Sequence, residues 1–434
     1  MKALILNGAH ANDSTAESVS AALCGQLQSR GWEIEQIVLR EQKIGVCAGD
    51  FFCWLRSPGM CNTNDDNRLI AAKMIQSDLL IWLTPITFGG YSSALKRAVD
   101  HLIQNILPFF TRIDGEVHHQ PRYKRYPNLL VIGWMDGPDA ASEAVFRHLA
   151  QRNSLNMYSP ASVCGVVTCS PSTAELSAQI DAWLAEIAAG ARMPVPALPT
   201  PANPAPAPNP LQQAVLLVGS PRTNKSSSGS LGGYLLDQLA ARGVATQTIQ
   251  IYTTLNSPVR LQAMLETLER ADLIVLAFPL YVDSLPAPVM VALEQIAAHR
   301  AGRRSGQRFV AITNCGFPEA HHCDNALAVC ARFADQAGLI WAGGMALGAG
   351  EGMVHGTPLA EIGGMGRNLR RALDMAAQAL AGGSPIPHAA MTLLAKPVIP
   401  PWLYLLVGGL SWGQQAKRYG NQRQLRQAPY QQPG

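Results

Sequence analysis

The sequence predicts an α/β protein built from two tandem domains of one kind, each a five-stranded parallel sheet doubly wound with helices in three layers. Three observations carry that prediction. Residues 194–210 hold eight prolines in 17 positions, which divides the chain. The parts on either side resemble one another. Within each part, apolar runs of about five to seven residues alternate with helical patterns, the signature of βα units around a sheet covered on both faces.

The proline segment excludes a helix or central strand, because proline lacks the amide donor and fixes φ. It reads as a semi-rigid linker over 193–212, reaching about 50 Å at most at 3.1 Å per residue. This leaves a first domain over 1–192 and a second over 213–434. Strands are predicted at 2–7, 33–38, 79–84, 128–134 and 161–168. Their counterparts are at 214–219, 246–251, 273–278, 308–314 and 339–347. The duplication shows in sequence: an apolar strand, a glycine (Gly8, Gly219), a polar loop and a helical pattern open both halves. Later, Asp78 and Asp272 each precede a buried strand that ends in a proline, Pro85 or Pro279. Five strands in roughly 200 residues suit the flavodoxin-like fold, whose ligands sit beyond the carboxyl ends of the strands.

Composition narrows the function. Apolar residues make up 48% and charged residues 15%, against about 25% charged in an average domain, which excludes a wholly disordered chain. Lys plus Arg is 34 against 30 acidic residues, a net charge of +4. That gives no case for a nucleic-acid partner, which selects a concentrated basic face. The longest apolar stretch, Val398 to Leu410, is broken by Pro400, Pro401, Gly408 and Gly409. It is shorter than the roughly 18 residues of a spanning helix, so no membrane partner is expected. The N-terminal apolar run is too short for a signal-peptide core. The nine cysteines are odd in number and mostly scattered, so they read as reduced thiols in a cytoplasmic protein.

The loops after the first, third and fourth strands are where chemistry is expected. In the second half the first loop runs Gly219-Ser220-Pro221-Arg222-Thr223-Asn224-Lys225-Ser226-Ser227-Ser228. Hydroxyls, cations and a helix start suit a phosphate monoester; an ordinary N-cap explains the same residues. The spacing is neither that of a Walker loop nor of a dinucleotide loop. The loop after the third strand reads Phe278-Pro279-Leu280-Tyr281-Val282-Asp283-Ser284. Together these loops resemble the NADPH-dependent FMN reductase family. The resemblance implies that Ser220, Arg222, Ser226 and Ser228 hold the FMN phosphate and that Pro279, Leu280 and Tyr281 line the flavin. The loop from Thr313 to Glu319 would close the site.

The first half resembles a neighbouring branch, the iron–sulfur flavoprotein-like oxidoreductases. Pro85, Ile86, Thr87, Phe88 and Gly89, followed by Lys96, Arg97 and Asp100, track that group's flavin loop and helix. Its first loop has Ala9-His10-Ala11 where the family has Ser-Pro-Arg, leaving Ser14 and Thr15 as phosphate ligands. Cys47, Asp50, Cys53 and Cys61 track a cluster loop with Asp in the second ligand position. Carboxylate binds such clusters poorly, so no metal is expected, and a structural loop outranks a cluster or a zinc site. Glu116, His118, His119, Arg122, Tyr123, Lys124 and Arg125 read as a solvated loop, or as a lid or contact for a 2′-phosphate. Cys323 and Cys330 read as core. Residues from Ala395 through Trp402, Leu403, Tyr404 and Trp412 to Lys417 and Arg418 form an apolar, then basic tail, expected to pack on the second domain or a partner.

The implied activity is an FMN-dependent oxidoreductase taking electrons from NADPH or NADH to a quinone, flavin or other small acceptor. The flavin carries the chemistry and no side chain is required as catalyst. Duplication implies an intramolecular pseudo-dimer or a homo-oligomer. Two alternatives stay open at this level: a flavin electron carrier without nicotinamide turnover, and a flavin-free scaffold with decayed sites.

Overall fold

A computed structural model describes residues 1–169, 171–202, 204–206 and 210–431. Part of the proline-rich linker, Asn203 and residues 207–209, lies outside the described residues; the rest of it forms neither helix nor strand. The chain forms two compact units, residues 1–198 with 405–434, and residues 199–404.

The strands of the first unit are β1 (Lys2–Asn7), β2 (Glu33–Val38), β3 (Leu79–Pro85), β4 (Ile106–Ile113), β5 (Glu116–Pro121), β6 (Asn128–Met135) and β7 (Ser162–Thr168). Its parallel sheet has the order β2-β1-β3-β6-β7. The second unit contains β8 (Gln213–Val218), β9 (Ala245–Gln250), β10 (Leu273–Pro279), β11 (Arg308–Asn314) and β12 (Ile340–Leu347). Its sheet, β9-β8-β10-β11-β12, repeats the same winding. All ten predicted sheet strands are present within a residue of their expected bounds. β3 and β10 are buried along nearly their whole length, as central strands covered on both faces must be.

Equivalent bonds hold the two sheets in register. The Asp78 carboxylate accepts from Lys2 N at 2.7 Å, and Asp78 O accepts from Asn128 N at 3.0 Å. Asp272 does the same with Gln213 N at 2.9 Å and Arg308 N at 2.8 Å. One aspartate thus ties the starts of three neighbouring strands, which explains its position before each central strand.

Helices complete the layers. Ser14–Ser29 and Thr173–Ala188 cover one face of the first sheet, burying Val19, Leu23, Ile180 and Leu184 on Ile5, Ile81 and Ile132. A capping box between Ser172 and Glu175 starts the second of these. In the other unit Ser227–Ala240 and Arg367–Ala381 bury Leu231, Leu235, Leu369 and Leu373 on Leu216, Val275 and Ile312.

Two expectations are corrected. The stretch from Glu116 is a solvated loop only at Lys124 and Arg125, which are exposed; before them β4 and β5 form an antiparallel hairpin closed by Asp114 and Gly115, both at positive φ, the turn geometry Asp-Gly favours. His118 is buried against Asn156 (2.8 Å), and Arg152 pairs with Glu116. Arg122 is buried, its guanidinium donating to Ile106 O, Leu425 O and Gln427 O, so it is committed to the chain's own carbonyls and not to a nucleotide. The tail, moreover, is divided: through Tyr404 it packs on the second unit as expected, with Ala395 and Val398 against that unit's apolar clusters, whereas from Leu405 it packs on the first. Most of the helix Pro401–Lys417 and all that follows belong there. Trp412 meets Phe51 and Trp54 edge-on at 5.4 and 5.3 Å, and Asn421 Nδ2 donates to Arg56 O at 2.7 Å. No helix among the described residues is long and apolar enough to cross a membrane.

Candidate functional site

In the second unit β8 runs into Gly219, whose N–H donates to Ala277 O at 2.8 Å. A Cβ at Gly219 would lie 2.5 Å from Val289 Cγ2, so only glycine lets the loop leave the strand this closely. Ser226 caps the helix Ser227–Ala240: its Oγ accepts from Gly229 N at 3.0 Å and donates to Thr223 O at 2.8 Å. Ser227 Oγ donates to Gly350 O at 3.1 Å, and Ser228 Oγ accepts from Asn314 Nδ2 at 3.0 Å. Ser220 is buried and accepts from Arg222 N at 3.3 Å. The Arg222 guanidinium pairs with Glu351. Of the four residues assigned to phosphate, Ser226 and Ser228 stand at the helix N-terminus and Ser220 and Arg222 in the loop before it, each with a protein partner.

The fit to a phosphate monoester rests on the donor set. The first turn of this helix has no acidic residue, and Arg222 and Lys225 stand in the preceding loop. A positive helix end, two cations and serine hydroxyls are what a dianion needs; Glu351 is an opposing charge in contact with Arg222. Pro279, Leu280 and Tyr281 follow at the end of β10, all half-buried. Leu280 N donates to Asn314 O at 2.8 Å, tying this loop to β11, and Tyr281 pairs with Ser284 across a tight turn. In that turn Val282 has φ 43°, a left-handed conformation that strains a β-branched residue.

Sequence reasoning missed the segment that locks the third loop. After β12, Ala349 N donates to Phe317 O at 2.6 Å and Gly350 N to Cys315 O at 3.0 Å. A Cβ on Gly348 would lie 2.2 Å from Pro318 O. Tyr404 Oη donates to Gly316 O at 2.6 Å. The glycine run Gly348-Ala349-Gly350-Glu351-Gly352 was the available signal. Cys323 and Cys330 are buried, as expected of core residues.

The first unit builds the same frame with other side chains. Gly8 N donates to Leu83 O at 2.8 Å, and Ile86 N to Trp134 O at 2.9 Å. Asp13 caps the helix Ser14–Ser29, its Oδ1 accepting from Ala16 N at 2.9 Å and its Oδ2 from Trp134 Nε1 at 2.9 Å. Glu17 adds a second acid in the first turn, and residues 8–13 contain no Lys or Arg. Ser14 is exposed and Thr15 half-buried. Pro85, Ile86 and Thr87 are half-buried, whereas Phe88 and Gly89 turn inward at positive φ. A Cβ on Gly89 would meet Val145 Cβ at 2.8 Å. Lys96 and Asp100 form a buried ion pair.

In the cysteine loop Asp50 is a backbone cap, accepting from Phe52 N at 3.0 Å. Burial, then the Asp100 charge, pushes the Cys47 thiol up to about 12. Burial and the neighbouring Cys47, Cys61 and Asp50 push Cys53 up as well. Cys61 differs. Burial opposes its ionisation, but His101, with Nδ1 at 3.6 Å, outweighs it and lowers its pKa. His101 Nε2 donates to Gly45 O at 3.0 Å, leaving Nδ1 toward the sulfur.

The sequence model of one family, NADPH-dependent FMN reductase, matches residues 1–168 and again residues 213–332. The chain belongs to this family. The iron-sulfur flavoprotein of Archaeoglobus fulgidus is 24% identical over 103 residues, 24% of this chain and 46% of that protein. Iron-sulfur flavoprotein MJ1083 of Methanocaldococcus jannaschii is 28% identical over 100 residues, 23% of this chain and 51% of that protein. The chain spans about half the length of the curated relatives it matches. An FMN-dependent NADH-azoreductase from Bacillus anthracis, solved with FMN, aligns over 39% of this chain and 100% of its own at 14% identity and a TM-score of 0.31.

Proposed function

We propose that the protein is an FMN-dependent NAD(P)H oxidoreductase, passing electrons from a nicotinamide to a quinone, flavin or other small acceptor, with its flavin seated in the second unit. The observation that carries this reading is the acid-free helix N-terminus at Ser227, preceded in its loop by Arg222 and Lys225, in a chain of the FMN reductase family. When bound, FMN supplies hydride acceptance from the nicotinamide and onward electron transfer.

The protein's part is binding and orientation. Arg222 and Lys225 neutralise the phosphate, and Ser220, Ser226 and Ser228 can turn their hydroxyls toward it. Pro279, Leu280 and Tyr281 offer a half-buried surface for the ring. The Leu280–Asn314 bond fixes that surface against β11.

The test is spectroscopic. The purified protein, supplied with FMN and desalted, should keep flavin absorption, and anaerobic NADPH should bleach it. A colourless preparation after FMN addition refutes the reading. Flavin that stays oxidised with both NADPH and NADH reduces the protein to a carrier.

A further inference from the structure

The duplication supplies an internal control, since two clefts of one topology can be compared residue by residue. At the end of the fourth sheet strand, Trp134 in β6 and Asn314 in β11 are equivalent. Each backbone carbonyl accepts the corresponding amide of the third loop, Ile86 N at 2.9 Å and Leu280 N at 2.8 Å. Their side chains both reach the N-terminus of the first helix of their unit. Asn314 does so with a short neutral amide bonded to Ser228 Oγ. Trp134 does so with an indole bonded to the Asp13 carboxylate.

Size and charge both change the cleft. β3 lies between β1 and β6. With strands about 4.8 Å apart, the Trp134–Asp13 link bridges about 10 Å from the fourth strand to the first loop. Trp134 is 4% exposed and joins one apolar cluster with Ala9 of that loop and Ala16 of the helix. An aromatic ring and an anion of the chain itself thus stand between the two loops that a flavin phosphate ester would have to join. The helix end is already answered by Asp13 and Glu17. A dianion arriving there meets two carboxylates, where the second unit offers Arg222 and Lys225.

We infer that the first unit's cleft is closed by its own Trp134–Asp13 pair and binds no FMN, so the chain carries one flavin, in the second unit. This rests on the reading of the second unit as the FMN site. Ser14, Thr15 and residues 85–89 are then structural residues of a cleft that has exchanged a cofactor for a tryptophan.

The full-length protein is saturated with FMN, desalted, and its flavin released by acid and counted against protein. One FMN per chain is expected; two per chain overturns the inference. No flavin at all would instead bring down the proposed function, on which this inference stands. Ser226→Asp locates the site: aspartate caps a helix as well as serine does, but brings negative charge to the phosphate loop. Flavin content should fall at least tenfold, and one retained FMN per chain would place the site in the first unit and overturn the inference. Trp134→Phe, which keeps the ring and removes the indole donor, should leave one FMN per chain. Its loss, in a variant with an unchanged far-ultraviolet dichroism spectrum, would show that Trp134 serves the flavin and would equally overturn the inference.

Discussion

Glu351→Gln should tighten FMN binding. In the structure Glu351 holds the Arg222 guanidinium, with side chains 33% and 30% exposed. To serve a phosphate, Arg222 must leave that carboxylate. A partly exposed pair of this kind is worth about 0.2–1 kcal/mol after solvent screening. Removing the charge returns that amount to binding and also removes a negative group beside the dianion, which favours the upper end. One kcal/mol is about a fivefold change in Kd. His355 Nδ1, 3.3 Å from the same carboxylate, is 76% exposed, and its loss should matter little. The assay is titration of flavin-free protein with FMN, followed by quenching of flavin fluorescence. Kd should fall about threefold to fivefold at low ionic strength. The gain should shrink in about 1 M salt, where the screening length is near 3 Å. An unchanged or weaker Kd at low salt would mean that Glu351 does not compete for Arg222, and the placement of phosphate at this loop would lose its electrostatic basis.

Three further outcomes test the rest of the structure. Arg122→Ala removes two charge-assisted bonds to the tail, at Leu425 O and Gln427 O, each worth about 1.5–3 kcal/mol. Amide hydrogen exchange in residues 421–431 should speed up by at least about 100-fold, and unchanged exchange would show the tail is not held there. Gly89→Ala sets a Cβ 2.8 Å from Val145 Cβ at φ 75°; overpacking and backbone strain together should cost about 2–4 kcal/mol in denaturant unfolding, whereas a cost below about 0.5 kcal/mol would disprove the inward turn. Because His101 lowers the Cys61 pKa while burial raises that of Cys47, iodoacetamide should label Cys61 before Cys47 near pH 7.5. His101→Asn should raise the Cys61 pKa, cut its thiolate fraction at that pH and move the rate profile upward in pH; a profile that stays in place removes the pair.

The strands were legible because a sheet covered on both faces needs unbroken apolar runs, and β1, β3, β8 and β10 carry them. The duplication was legible in Gly8 and Gly219 and in Asp78 and Asp272, whose roles depend on backbone geometry common to both halves. The hairpin was missed although Asp114-Gly115 announces it, because the basic residues after it suggested a surface loop. Arg122 shows the difficulty: its partners Leu425 and Gln427 lie about 300 residues away, and nothing in its neighbourhood reveals that its charge is already committed. The same holds at the site. Serines and arginines that suit a phosphate were visible, but their partners were not. Ser228 meets Asn314 across 86 positions and Arg222 meets Glu351 across 129.

In the first half residue type and partners point different ways. Ser14 and Thr15 kept the hydroxyls of a phosphate loop, so the cleft read as a weakened copy. A cleft that had only lost ligands would carry a void or polar groups without partners, both costly inside a protein. The cleft of the first unit shows instead a matched exchange. The indole of Trp134 fills space and needs an acceptor for its buried N–H, and Asp13 supplies one oxygen to it and the other to Ala16 N. Asp13 would repel a phosphate, yet it neutralises the helix end that a phosphate would otherwise neutralise. Each residue resolves the difficulty the other creates. On the inference drawn above, that coupling makes the first unit a domain stable without the cofactor, and the second unit, with Asn314 in the place of Trp134 and Ser226 as the cap in the place of Asp13, the one to be completed by it.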